Sequence, residues 1–223
     1  LIDNCTGVYL DPSVVGTSTN DEGGISPIFS DSNDHVEIDP CSDFRYDPEG
    51  TVSLWVKTPE NPSYSAKGLL GMRTEYSGAA ALSLVIIDTA ISVYLDDDEA
   101  YSAYGHAAAP IGSIERGVWS HVAFSWGARG LYVYVNGDLV ASNTYNQDSL
   151  FTYSGRWAPT LHIGRGILVI PSTTSEIGFD GSIAHVAFLQ NQMDDADIKD
   201  LAAVKPDLNE FSVVDGTWTK VFY

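Results

Sequence analysis

Apolar and polar residues alternate with a period of two along most of the chain, a pattern typical of β-strands that bury one face. In residues 119–126, for example, Val122, Phe124 and Trp126 fall on one side of the strand. The same pattern recurs in residues 51–57, 81–87, 91–95, 131–135, 160–164 and 183–189. Glycine, proline, asparagine, aspartate and serine fill the gaps, so we predict many short strands joined by turns. This arrangement predicts an all-β fold, a two-sheet antiparallel β-sandwich or jelly roll.

Two local signals refine this pattern. Asn136-Gly137 separates two strand-like runs and predicts a tight hairpin, because both residues tolerate positive φ angles. Residues 193–204 predict one short helix near the C-terminal end, with aspartates at its start and Ile198 and Leu201 on a shared face. Residues 211–214 and 217–223 read as one or two closing strands or a lead-out toward a neighbouring domain. No linker or repeat interrupts the chain, so residues 1–223 are predicted to form a single domain.

The charge balance excludes several classes of function. Eleven lysines and arginines face 30 aspartates and glutamates, which gives a net charge of −19. Nucleic-acid binding requires a basic face, so this class is excluded, as is docking on anionic lipid. The longest apolar stretch, residues 78–95, contains Asp88 and has a strand pattern, so no membrane insertion is expected. Hydrophobic residues make up 44% of the chain, enough to form a core.

The two cysteines, Cys5 and Cys41, predict one disulfide that ties down the N-terminal region. Closing a loop of this length would contribute about 3–4 kcal/mol in the chain-entropy description. Two buried free thiols are the alternative. The chain begins at Leu1 with no signal peptide, which is what we expect of a mature or excised segment.

The order of these strands resembles the laminin-G-like (LamG) jelly-roll domains of the concanavalin A-like lectin/glucanase superfamily, over residues 20–205. Four parts of the chain carry the resemblance. The first is 24–38, which we interpret as an opening hairpin, and the second is Gly50-Thr-Val-Ser-Leu-Trp-Val-Lys57. The third is 118–137, with the motifs Trp119-Ser-His-Val and Tyr134-Val-Asn-Gly137, and the fourth is 161–164 together with Phe179-Asp-Gly-Ser-Ile183. These are core and turn positions, so they imply the fold and say little about function. His121 lies between core positions and reads as a structural histidine.

The resemblance implies no catalytic site in this chain. Glucanases of the superfamily carry Glu-x-Asp-x-x-Glu on one strand, and this spacing is absent here. Met72-Arg-Thr-Glu-Tyr76 matches only one of the three motifs found in the superfamily's alginate lyases. We therefore predict that the protein is not an enzyme. An unrecognised glycan-active enzyme is the remote alternative, and it would need two carboxylates in one cleft.

A calcium ion is the candidate cofactor. Asp96, Asp97 and Asp98 form an acidic run at a predicted strand end, and carboxylate oxygens suit this cation. Solvated turn acids are the alternative interpretation of the same run. The acidic positions of the superfamily's calcium sites are not matched after residue 164 or in residues 181–186.

A sugar-binding site is predicted in two loops. Residues 99–106 follow the acidic run and carry Tyr101, Tyr104 and His106; residues 151–157 carry Arg156 and Trp157. Sugars stack on exposed aromatic rings and bond to polar groups beside them, which makes these residues the candidates. Packing of Trp157 beneath its own loop, and ordinary exposure of the tyrosines at a strand edge, are the alternatives.

The most favoured function is a non-catalytic carbohydrate-binding or adhesion module that recognises glycans at a loop rim. The alternative is a structural or protein-interaction module, such as a virion decoration, tail or assembly domain without a sugar site. The apolar run 167–170 would then contact neighbouring domains or chains. Both predictions place the protein outside the cell, on a cell surface or on a virion surface.

Overall fold

The computed structural model of the protein describes residues 8–9, 16–19, 25–29, 35–38, 49–61, 66–73, 80–96, 104–144, 161–170, 173–189, 191–204, 213–216 and 219–222. Within these ranges the strands, numbered in chain order, form two antiparallel sheets and a separate two-stranded hairpin. The predicted fold class, a two-sheet antiparallel β-sandwich with one short helix, is confirmed for the described residues.

Sheet A consists of seven strands. In spatial order they are β1 (Val8–Tyr9), β4 (Val36–Ile38), β13 (Leu161–Ile163), β6 (Ala66–Arg73), β7 (Ala80–Ile87), β8 (Ala90–Asp96) and β9 (Tyr104–Ala108). Among the described strands β9 is therefore at the edge of sheet A, paired on one side with β8.

Sheet B consists of nine strands. Its main path runs through β12 (Asp138–Asn143), β11 (Leu131–Val135), β10 (Trp119–Trp126), β5 (Gly50–Lys57), β16 (Gly181–Leu189), β18 (Thr219–Phe222) and β17 (Val213–Gly216). Strand β3 (Ile25–Phe29) pairs with β16 and with β2 (Gly16–Thr19). Strands β18 and β17 follow the helix in the chain and join sheet B beside β16.

The hydrophobic core lies between the two sheets. Val122, Phe124 and Trp126 point from β10 into this core, as their spacing predicts, and Phe124 is fully buried. Sheet A contributes Leu84 and Val93 at 0% exposure. Each large side chain buried in this way contributes about 1.5–3 kcal/mol of hydrophobic stabilisation.

The Asn136-Gly137 hairpin is confirmed. Both residues adopt positive φ angles, 52° and 84°, and they join β11 to β12. The Asn136 side chain also accepts a hydrogen bond from the His121 backbone N–H at 2.9 Å. The turn therefore fixes both its own hairpin and the start of the neighbouring strand β10.

Helix α1 (Asp195–Ala203) confirms the predicted helix. Asp194 caps its first turn and accepts hydrogen bonds from the backbone N–H groups of residues 196 and 197 at 2.9 and 3.1 Å. Ile198 is fully buried and packs with Ala123 and Tyr134 on the outer face of sheet B. No helix in the described ranges is long and apolar enough to cross a membrane.

The predicted opening hairpin of residues 24–38 is wrong. Strand β3 lies in sheet B, whereas β4 lies in sheet A between β1 and β13. The chain therefore passes from sheet B to sheet A between Phe29 and Val36, which are both buried in the core. Alternation alone assigns each segment to a strand but does not say which sheet it joins.

The apolar run 167–170 lies in a strand, and its first residue is buried. Strand β14 (Arg165–Ile170) pairs with β15 (Thr173–Gly178) to form a two-stranded hairpin. Ile167 is only 3% exposed, and its backbone N–H and C=O both bond to the Ser83 hydroxyl, at 2.9 and 2.6 Å. At Ile167 this run packs on the protein's own sheet A, so it is not available there to a partner chain.

Candidate functional site

The outer face of sheet A carries a row of residues that lie opposite one another on successive strands. From β13 to β9 the row is His162, Gly71, Ser83, Tyr94 and His106. The neighbouring positions along β8 and β9 face the core, so the alternation of the strands places Tyr94 and His106 on the opposite side.

The β14–β15 hairpin covers the centre of this row. Gly68 and Gly166 allow the two backbones to approach closely, since a Cβ atom at Gly68 would lie 1.9 Å from the Gly166 nitrogen. Gly71 of β6 also packs on strand β14, because a Cβ atom at Gly71 would lie 2.7 Å from the Arg165 carbonyl oxygen. The hairpin therefore separates the His162 end of the row from the pair formed by Tyr94 and His106.

Tyr94 and His106 form a stacked pair of rings on the part of this face that the β14–β15 hairpin does not cover. Their ring centroids are 4.3 Å apart and their planes differ by 10°. Both side chains are half-buried. The His106 carbonyl accepts a hydrogen bond of 3.0 Å from the side chain of Asn143, which joins the edge strand of sheet B to that of sheet A.

Burial lowers the pKa of His106 below its usual value of 6.5, so the imidazole is neutral at pH 7. Its Nε2 atom is buried and has no hydrogen-bond partner in the described part of the chain. A neutral imidazole can donate or accept a hydrogen bond and also offers a flat ring. Together with Tyr94, it provides a half-buried pair of stacked rings.

The predicted sugar-binding residues differ in how the structure places them. Tyr104 and His106 lie in strand β9, so their assignment to a loop is wrong. The backbone of Tyr104 pairs with that of Asp96, and the side chains of Tyr104 and Asp96 are not among the described parts. Tyr101, Arg156 and Trp157 lie outside the described residues.

Sequence reasoning missed Tyr94 as a site residue. The available signal was its place in the alternating pattern of β8. Tyr94 lies between Val93 and Leu95, which both face the core, so its aromatic ring is expected on the outer face. Its stacking on His106 depends on the pairing of β8 with β9. Residues 97–103, which separate these strands in the sequence, have no strand pattern that would predict this pairing.

The calcium and disulfide predictions fall largely outside the described residues. Asp96 is the last residue of β8, and Asp97 and Asp98 follow beyond the described range. Cys5 and Cys41 also lie outside it. Among the side chains that the structure describes, no group of three or more His, Cys, Asp or Glu residues could hold a metal ion. Both assignments stay predictions.

A serine and a histidine also meet on the opposite sheet, but in a closed environment. Ser53 Oγ and His121 Nε2 share a hydrogen bond of 2.8 Å, and the Trp55 ring lies 5.5 Å from the imidazole. His121 is 0% exposed, and burial lowers its pKa to about 4. This geometry fits the structural role predicted for His121, because no substrate can reach the pair.

Comparison with known families identifies the fold. The family model for the concanavalin A-like lectin/glucanases superfamily matches residues 30–199, more than half of the chain. The chain belongs to this superfamily. The match covers both strands of the stacked ring pair and ends within helix α1, so this part of the superfamily fold holds the candidate site. No curated protein matches the chain at a significant level.

Solved structures of this lectin/glucanase fold resemble the chain at low identity. Domain 4 of an extracellular arabinanase from Geobacillus stearothermophilus, in complex with arabinotriose, has a TM-score of 0.58 and 17% identity, covering 84% of this chain and 81% of that one. A botulinum neurotoxin type C structure has a TM-score of 0.58 and 18% identity over 92% of this chain, but only 47% of that chain is covered. A pentraxin from Limulus polyphemus has a TM-score of 0.58 and 16% identity, covering 91% and 96%.

Proposed function

We propose that the protein is a non-catalytic carbohydrate-binding module whose site is the part of the outer face of sheet A beyond the β14–β15 hairpin. The observation that carries the proposal is the half-buried stack of Tyr94 on His106, with ring centroids 4.3 Å apart. Sugar rings present C–H groups to aromatic faces and hydroxyls to polar atoms nearby. The stacked rings offer the first kind of contact.

The similar structures support this class of ligand. The arabinanase domain is described in complex with arabinotriose, and cell entry of the botulinum neurotoxin is described as dependent on two ganglioside molecules. The arabinanase domain matches this chain over 81% of its length, whereas only 47% of the neurotoxin chain is matched. The proposed setting is extracellular, where free and surface-bound glycans occur.

We extend the proposed site to the rim. The segment that carries Tyr101 lies in the sequence between Asp96 and Tyr104, which pair with each other. The segment that carries Arg156 and Trp157 follows shortly after Asn143, whose side chain donates a hydrogen bond to the His106 carbonyl. The described residues that flank these two segments therefore lie near the ring pair. We propose that these side chains contact the part of the glycan that extends beyond the Tyr94–His106 platform.

A glycan array tests the proposal. The wild type should bind a defined set of glycans, and Tyr94→Ala should reduce the binding at least tenfold because it removes half of the ring platform. Trp157→Ala should also reduce it if the rim takes part. The matched control is Tyr132→Ala, a half-buried tyrosine whose ring lies under Arg129 on sheet B. If Tyr94→Ala binds as the wild type does while remaining folded, the platform is not the site.

Calcium is a separate proposal, with Asp96, Asp97 and Asp98 as its ligands. A bound cation that prefers the folded state raises the melting temperature by mass action. Chelation should therefore lower the melting temperature of the wild type and leave that of an Asp97→Asn, Asp98→Asn variant unchanged. A wild-type melting curve that does not respond to chelator or to added calcium rejects this site.

A structural or protein-interaction module stays the alternative function. Ile167 of the apolar run 167–170 is buried against the protein's own sheet A and is not available to another chain. Binding of a partner protein without any glycan would favour this alternative.

A further inference from the structure

One lysine of sheet A is buried in direct contact with a carboxylate. The Nζ atom of Lys67, near the start of β6, contacts Oδ1 of Asp180, which directly precedes β16 of sheet B. The two side chains are 4% and 22% exposed. The contact therefore joins the two sheets at a place from which water is largely excluded.

The surroundings of Lys67 disfavour its charged form. Burial, and after it the guanidinium of Arg116, lower the pKa of Lys67 to about 8, despite the neighbouring carboxylate. Lysine carries three N–H donors when charged, yet Nζ has no hydrogen-bond partner in the described part of the chain besides its contact with Asp180. The neutral amine, which is the nucleophilic form, is thus a minor but accessible fraction near neutral pH.

Both residues are held in place by rigid backbone. Gly68, next to Lys67, packs against Gly166, where a Cβ atom would meet backbone at 1.9 Å. On the other side, Phe179 is fully buried and its backbone N–H bonds to the Gly164 carbonyl at 2.9 Å. Fixed reacting groups lose little freedom when they react, and this favours bond formation between them.

We propose that Lys67 and Asp180 form an intramolecular amide cross-link between the sheets. The neutral amine attacks Cγ of the protonated Asp180 carboxyl, the new C–N bond forms, and the carboxyl C–O bond breaks. The leaving hydroxyl takes one proton from the amine, so one water molecule is released and no other reactant is needed.

The product fits its surroundings better than the ion pair does. Two charges in a site closed to water are costly unless they are fully hydrogen-bonded, whereas an amide is neutral and carries a single N–H donor. The cross-link would also close a long segment of chain and fasten sheet A to sheet B, which restricts the unfolded state as a disulfide does.

Mass spectrometry of the whole purified chain, denatured and reduced, tests the proposal. The wild type should be lighter than its sequence mass by one water molecule, and proteolysis should yield one branched peptide that joins Lys67 to Asp180. A wild type with its full sequence mass, and with the two residues recovered in separate linear peptides, overturns the proposal.

Two variants assign the bond. Lys67→Arg keeps the positive charge and the pairing with Asp180 but replaces the amine with a guanidinium, which is a poor nucleophile; Asp180→Ala removes the carbon that is attacked. Both should show their full sequence mass and no branched peptide, whether or not they remain folded. Loss of water that persists in either variant would overturn the assignment to this pair.

Discussion

Phe124→Ala should lower the free energy of unfolding by about 3–5 kcal/mol, because it removes a large, fully buried side chain and leaves a cavity between the sheets. Phe124 is 0% exposed, and its ring centroid lies 5.9 Å from that of Trp126. Such a loss is a large part of the stability of an ordinary domain, so a fraction of the variant should be unfolded at room temperature.

Urea denaturation followed by tryptophan fluorescence measures this loss. The matched control is Ile111→Ala, in a turn where the isoleucine is 76% exposed; its effect should stay within about 0.5 kcal/mol. Equal losses for the two variants would contradict the placement of the core between sheets A and B.

Acid should destabilise the protein through His121. Its pKa is lowered from 6.5 to about 4 by burial, so between these values the unfolded chain binds a proton that the folded protein does not. The contribution of His121 to stability is therefore complete above pH 6.5 and is lost as the pH falls toward 4. The loss is about 3 kcal/mol, from about 1.4 kcal/mol for each pH unit of the shift.

Denaturation curves at several pH values between 7 and 4 test this contribution. His121→Gln removes the titrating group but retains a side chain that can bond to Ser53. The variant should lose less stability than the wild type over this interval, although other groups titrate in both proteins. Parallel pH profiles would show that His121 remains as easily protonated in the folded state as in the unfolded chain.

The sequence predicts those elements whose signals are local. Residues 119–126 and 131–135 are observed as predicted because alternation is strong and Asn136-Gly137 fixes the turn that follows. Helix α1 is found for the same reason, since its cap and its buried Ile198 lie within one short segment.

Features that depend on distant pairing were missed. The β14–β15 hairpin packs on sheet A because Gly68 and Gly166, far apart in the chain, remove side chains from both surfaces. The candidate site has the same origin, since His106 could be proposed from its own segment but its partner Tyr94 becomes apparent only once β8 is paired with β9. Pairing across sheets decides which residues meet, and no local pattern encodes it.

The central claim is that a glycan binds on the outer face of sheet A at Tyr94 and His106. Nuclear magnetic resonance of the histidine side chains, during titration with the glycan that binds best on the array, tests this claim most directly. The chain has five histidines, and His121, buried on the other sheet, is an internal reference. We expect the ring signals of His106 to shift and saturate with the glycan while those of His121 stay fixed. Saturable binding that leaves the His106 signals unchanged would contradict the claim.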